Sequence, residues 1–309
     1  MARRKNAFSG KVNDVDLRLM RVFKAVIECG GLSAAQTELG VGRSTISRQI
    51  SDLETRLGLR LCHRGRSGFY LTQQGRQAID YIDKFLVSTD DFASGIASIS
   101  NQMVGNIEIG MIDFTMSDVR NPLISAMQKF QEIAPDVSIN LMTGSPNEVE
   151  RGIIDGKLHI GIIPDYQRHP SLEYITLYDE DVGLFCGGQH PLVKAIEQNV
   201  TLTADMICKH KLVHRAYFES EPLRQRKQKF PVGSTVYQTE AVLALVRSGV
   251  YLGYFPSHCQ DLMRGEFFEL LPDIFGYSTP ICALWRSDRK HSLILQDFLQ
   301  LLSQERPAV

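Results

Sequence analysis

The stretch from Ser33 to Thr72 limits the choice of fold more than any other part of the chain. It reads as a short helix, a tight turn, a longer helix and a basic β-hairpin. Ser33 is expected to cap the first helix, whose Ala34, Ala35 and Leu39 form a small apolar face. Gly40-Val41-Gly42 breaks that helix, since glycine reaches the backbone angles of a tight turn. The second helix is expected from about Arg43 to Leu57, burying Ile46, Ile50, Leu53 and Leu57 at steps of three and four. Its free face carries Arg43, Ser44, Thr45, Ser47, Arg48 and Gln49. A guanidinium can fork onto guanine, an amide onto adenine, and hydroxyls onto phosphates or base edges. A merely solvated helix face could carry the same residues, and it is the hairpin beyond the helix that tips the balance. Gly58 ends the helix, Leu59–Leu61 is expected as a strand, and Phe69–Thr72 as its return. The turn between them carries Arg64 and Arg66, the chemistry of a wing that clamps a phosphate backbone or a minor groove.

These residues also carry a resemblance. Leu17, Phe23, Ala34, Ala35, Leu39, Val41, Ser47, Arg48, Gln49, Ile50, Leu53, Glu54, Leu57, Gly58, Leu61, Arg64, Leu71, Thr72 and Gly75 fall in the order and spacing of LysR-type transcriptional regulators. The similarity is specific over the first ninety residues, and weaker but continuous beyond. Cys62 departs from it, standing where the family usually has phenylalanine. The fold class expected is α+β multidomain: an N-terminal winged helix-turn-helix, a long linker helix, and a C-terminal α/β periplasmic-binding-protein-like effector domain with two subdomains.

A chain of 309 residues is long for one core, so two or three units are expected. No apolar run is long enough to cross a bilayer, and the basic start has no apolar core of a secretory signal. The six cysteines are scattered without a CxxC pair, which suits reduced thiols in a cytoplasm rather than a disulfide framework or zinc site. The net charge of −1 conceals an asymmetry. Residues 1–72 hold thirteen Lys/Arg against six Asp/Glu, and the remainder twenty-one against twenty-nine. Polyanion binding therefore belongs to the N-terminal end.

Residues 1–12 read as a basic tail and 13–72 as the DNA-binding domain, its core completed by an amphipathic helix from Asp14 to Cys29. Residues 73–103 form the linker helix, in which Ala78, Ile82, Phe85, Phe92, Ile96 and Ile99 keep helical steps. A stripe this long suggests a partner helix, and the resemblance implies antiparallel pairing with a twin. Packing on the chain's own domains is the alternative. From 104 to 309 strands alternate with helices, including a helix from about Val119 to Ile133, and this order predicts parallel sheets. By resemblance, subdomain I is 104–163 with 269–309, and subdomain II is 164–268.

A ligand cleft is expected between the subdomains, beyond the carboxyl ends of the strands. Two loops of the first subdomain, Asp113–Ser117 and Thr143–Pro146, precede helices. The resemblance carries effector-binding hydroxyls onto Thr115 and Ser145, with Pro146 beside the latter; plain N-capping competes with that role. Asp113 would repel a carboxylate or attract an amine, unless it caps a helix. His214, Arg215, Tyr217 and Thr239 are candidates at strand ends, with Tyr254 and Phe255 near the return crossing. An inward Arg215 would favour an anion, which conflicts with the reading of Asp113.

No GxSxG, P-loop, HExxH or dinucleotide motif is present, so no enzyme, cofactor or metal is expected. A rival on the same fold is a thiol-based redox sensor using Cys186 and Cys208, with Lys209, His210 and Lys211 supplying positive charge. The leading expectation is a cytoplasmic, sequence-specific regulator of double-stranded DNA with an inverted-repeat site and a small-molecule effector. It is expected to dimerise through the linker helix, to form a homotetramer, and to meet RNA polymerase but no membrane.

Overall fold

The computed structural model describes residues 8, 10–65, 68–100, 102–217, 219, 221–263, 265–287 and 293–306. The basic residues Arg3, Arg4 and Lys5, and Arg66 of the expected wing, lie outside the described residues. Contacts divide the chain into two units, 1–93 and 94–309.

The first unit contains α1 (Asp14–Glu28), α2 (Ala35–Leu39), α3 (Arg43–Leu57), the hairpin β1 (Cys62–Gly65) and β2 (Gly68–Leu71), and most of α4 (Gln73–Ile99). Asn13 caps α1 in a reciprocal box with Asp16. The Asp16 carboxylate also meets the Arg56 guanidinium, whose hydrogen bond holds its pKa below the usual carboxylate range. Phe23, Ile46, Ile50, Leu53 and Leu61 are fully buried in one core, each stabilising the unit by roughly 1.5–3 kcal/mol. Gly58 closes α3 in the left-handed region at φ 68°.

Two expectations fail here for local reasons. Ser33 does not cap α2: Ala34 occupies the cap without a side-chain bond, and Ser33 instead lends its carbonyl to Gln36 Nε2 at 3.1 Å. Leu59–Leu61 is not a strand. Glu54 Oε1 accepts from the amides of Leu61 and Cys62 at 2.8 and 3.2 Å, and the ladder begins only at Cys62.

The second unit is built on one nine-stranded sheet of order β4-β3-β5-β11-β6-β9-β7-β8, with β10 added to β6. Its first lobe holds β3 (Gly105–Met111), α5 (Leu123–Ile133), β4 (Val137–Thr143), α6 (Pro146–Asp155) and β5 (Ile160–Pro164). The long β6 (Leu172–Gly187) leads into the second lobe. There follow α7 (Pro191–Glu197), α8 (Ala204–Ile207), β7 (Leu212–Arg215), α9 (Glu221–Lys227), β8 (Val232–Val236), α10 (Thr239–Arg247) and β9 (Leu252–Pro256). After α11 (His258–Leu262), β10 (Phe267–Glu269) and α12 (Pro272–Phe275), β11 (Tyr277–Arg286) returns to the first lobe, and α13 (Leu293–Gln304) packs on it. Each lobe has its own core, with Phe130 edge-on to Phe298 in the first and Phe185 stacked on Phe255 in the second.

The strands within each lobe run parallel as expected, β3 with β4 and β5, and β7 with β8 and β9. The lobes are not separate sheets, however. β6 and β11 pair antiparallel from Leu172–Arg286 to Val182–Tyr277 and join them. From the sequence, strands are expected here only over Val182–Cys186 and Ile281–Trp285, because Glu173, Asp179, Glu180 and Asp181 hide the apolar alternation of β6. The helix expected from Val119 begins instead at Leu123. Pro122 disfavours a helical residue before it, and Asn121 Oδ1 caps Leu123 N at 2.9 Å.

Candidate nucleic-acid interface and effector cleft

Because α3 turns Ile46, Ile50 and Leu53 inward, most residues between them face out, but Gln49 sits at the edge of the buried face with its Oε1 buried and unpartnered among the described residues. Arg43, Ser44, Thr45 and Arg48 are exposed, as is Ser33, while Ser47 and Gln49 are half-buried. Gln36 of α2 braces the start of α3 by accepting from Arg43 N at 3.0 Å. Ser33, Arg43, Ser47 and Arg64 share one groove with Gly65 and Gly68, the last pair before the hairpin turn.

Arg64 differs from its expected role on a phosphate. Its Nη1 donates to the Ser47 carbonyl at 2.6 Å and to Ser51 Oγ at 3.2 Å, and its Nη2 pairs with Glu54. The guanidinium is thus committed within the module and ties the hairpin to α3. At the hairpin itself, His63 stacks on the exposed Tyr70 with ring centres 4.6 Å apart.

In the second unit, one cleft between the lobes is lined by Asp113, Ser145, Pro146, Arg215, Tyr217, Thr239, Tyr254 and Phe255. Asp113 removes the conflict with Arg215. Its carboxylate reaches from the first lobe to the N-terminus of α10, accepting from Thr239 N, from Thr239 Oγ1 at 2.9 Å and from Glu240 N at 3.3 Å. It is therefore a helix-capping acid, and the helix it caps belongs to the opposite lobe. The Thr239 hydroxyl in turn accepts from Arg215 Nη1 at 3.1 Å. Among the described residues, no carboxylate lies within 4.0 Å of the Arg215 guanidinium. The cleft's remaining lysine is neutralised, since Lys227 pairs with Glu219 and both are buried.

Thr115 and His214 do not line this cleft. Thr115 is fully buried, its hydroxyl donating to the Ile112 carbonyl at 2.8 Å. His214 neighbours Arg215 on β7, and successive strand residues face opposite ways, so only one of the two can point inward. Ser145 lines the cleft but is the N-cap of α6, in a capping box with Glu148. Sequence reasoning missed Tyr166, Glu180, Glu219, Lys227, Tyr237 and Tyr277. Glu180 and Tyr277 lie on the joining strands, where no strand-end rule would look. Burial, reinforced by the charge of Asp118, pushes the Glu180 carboxyl up to about 7.

Two family models match the chain. "Bacterial regulatory helix-turn-helix protein, lysR family" covers residues 17–76, and "LysR substrate binding domain" covers residues 100–307. The chain belongs to the LysR family. The transcriptional activator BauR of Pseudomonas aeruginosa is 33% identical to this LysR-type regulator over 305 residues, 98% of this chain and 99% of the relative. Among solved structures, the LysR family regulator CbnR is similar with a TM-score of 0.65 at 20% identity, over 94% of this chain and 99% of that one. CbnR bound to its target DNA gives 0.64 with the same coverage. This LysR-type transcriptional regulator thus carries an N-terminal helix-turn-helix domain and a C-terminal effector-binding domain. Its described residues contain no helix long and apolar enough to cross a membrane.

The thiols of this LysR-type regulator do not favour redox sensing. Cys186 is buried in β6, and burial raises its pKa to about 12. Burial also raises that of Cys208, and the charge working against it comes from Lys229 rather than from the adjacent basic residues. A reactive thiol needs the opposite shift.

Proposed function

We propose that the effector is a small carboxylate anchored by Arg215, and that its binding changes how a pair of α3 helices grips duplex DNA. The supporting observation is the cationic guanidinium that faces the cleft with, among the described residues, only a neutral hydroxyl as hydrogen-bond partner. Asp113 already takes the cap of α10, which leaves Arg215 as the open charge. The free volume of the cleft is about 30 Å³, room for two or three waters at roughly 10–15 Å³ each. Entry of an effector therefore requires the lobes to twist relative to one another, which selects one of two states of the receptor.

On DNA, Arg43, Ser44, Thr45, Arg48 and Gln49 read bases, while Ser33 and Ser47 meet the backbone at the groove. Arg64 acts by holding the hairpin in place. Phe92, Ile96 and Ile99 are 70%, 52% and 79% exposed on α4. Their helical spacing supports pairing with a second α4, hence a dimer on an inverted repeat. Tetramer formation, contact with RNA polymerase and a cytoplasmic location complete the proposal and rest on the family alone.

Two variants of the full chain test it. Arg48→Ala should lose specific binding to duplexes selected from a random pool, yet keep its stabilisation by small carboxylates in thermal melts. Arg215→Ala should do the reverse. Carboxylate stabilisation that survives in Arg215→Ala would refute the anchor.

A further inference from the structure

The loop before α5, the joining strand β6 and the start of α11 bring Asp118, Glu180 and His258 together. One donor atom from each lies within 4.8 Å of the others. Asp118 and Glu180 are each only 3% accessible, and the His258 side chain 14%. His258 Nε2 sits 3.2 Å from the Phe114 carbonyl oxygen, which can only accept, so Nε2 carries the proton. Nδ1 faces Asp118 Oδ2 at 3.4 Å without a hydrogen bond, an ion pair when the ring carries both protons and a ligand position when Nδ1 is bare. Among the described residues, Glu180 Oε1 is likewise buried without a partner, and so is the hydroxyl of Tyr178 on the same face of β6. Buried acceptors left this way are costly, and a native structure usually satisfies them.

We propose that Asp118, Glu180 and His258 Nδ1 bind a divalent transition-metal ion of the zinc or manganese type. Two carboxylate oxygens and one imidazole nitrogen are a donor set such ions accept. Tetrahedral bonds of about 2.1 Å put neighbouring donors about 3.4 Å apart, and His258 Nδ1 and Asp118 Oδ2 already stand at that separation. Binding draws the wider edges, up to 4.8 Å, inward by up to about 1.4 Å. Arg120 holds the Asp118 carboxylate from behind, with Nε and Nη2 at 3.0 and 2.8 Å, and reaches Asp181 with Nη1 at 3.0 Å. Such outer contacts orient a ligating carboxylate. With Glu180 ionised by the metal, the Asp118, Glu180 and Asp181 carboxylates outweigh the Arg120 guanidinium, and a divalent ion neutralises the excess. Because Glu180 also lines the effector cleft, the open coordination position can take water or the effector itself. The metal site is distinct from the anion anchor at Arg215, and either can fail without the other.

The test is equilibrium dialysis of the chelator-stripped full chain against Zn²⁺ and Mn²⁺, with Mg²⁺ as comparison. The expected result is roughly one zinc or manganese per chain, with affinity lowered at least about tenfold by Glu180→Gln or His258→Gln. In the wild type, Mn²⁺ should also broaden the His258 ring resonances ahead of those of the other histidines, a readout that needs no variant. Absence of stoichiometric binding, binding unchanged in both variants, or broadening elsewhere first would each overturn the proposal. Arg215→Ala should bind the metal normally, which separates this failure from that of the carboxylate anchor.

Discussion

Gly75 lies in the first turn of α4, and an ideal Cβ there would stand 1.9 Å from the Leu61 carbonyl oxygen. That carbonyl also accepts from Thr72 N at 3.0 Å, so it cannot easily retreat. Gly75→Ala should therefore destabilise the N-terminal unit by about 1–3 kcal/mol, read as a lower urea midpoint for that unit alone. Asp113 offers a second test at this scale. Asp113→Asn keeps the shape but removes the charge that the N-terminus of α10 favours, a loss of about 1 kcal/mol. It should also bind small carboxylates more tightly in calorimetric titrations, because their competitor for the same dipole is gone; weaker binding would count against the Asp113 cap on α10. The sequence offers helix capping as one role for Asp113 but not which helix it caps, and the bracing role of Arg64 is not readable there at all. The outward residues of α3 are legible because a helix fixes its own faces. Arg64 and Asp113 take their roles from Glu54 and from Thr239, partners that no local pattern connects to them.

Among the elements, α7 carries an acid-sensitive cap. His190 is 1% accessible, and its Nδ1 accepts from Leu192 N at 3.2 Å. Burial, together with the neighbouring His210 ring, lowers its pKa from 6.5 to about 4. The unfolded chain therefore takes up this proton near pH 6.5, and the folded chain only near 4. Stability is complete above pH 6.5 and falls as pH drops towards 4, by roughly 3 kcal/mol in all. His190→Asn keeps a capping acceptor without a titrating group, so the difference between its urea midpoints at pH 7 and pH 5 should shrink. An unchanged difference would assign the acid loss to other groups. Elsewhere, the helical stripe of α4 is legible in sequence but its two ends are not distinguished there. Ile82 and Leu86 are buried in the unit's own core, whereas Phe92, Ile96 and Ile99 are exposed, so packing on the chain's own domain claims the first half. Periodicity reports an apolar face and is silent on what covers it. The late start of α5 has a local signature in Pro122, which outweighs the apolar spacing from Val119.

At the scale of the whole molecule, the exposed end of α4 predicts assembly. Ile96→Glu should leave the fold intact by circular dichroism and shift the protein towards monomer in sedimentation. A dimer of undiminished stability would place the interface elsewhere. The alternation of strands and helices makes the α/β character of the second unit legible, but not the continuity of its sheet, since long-range strand pairing has no local signature. That continuity constrains how the receptor can move. β6 and β11 are laced together across both halves, with a single change of register between Ile281 and Cys282. Two plates riveted along such a bar resist gaping, which would shear the rivets, but yield to torsion, the natural deformation of a pleated ribbon. An arriving ligand would then register as a change of pitch, largest at the outer rims and vanishing along the bar.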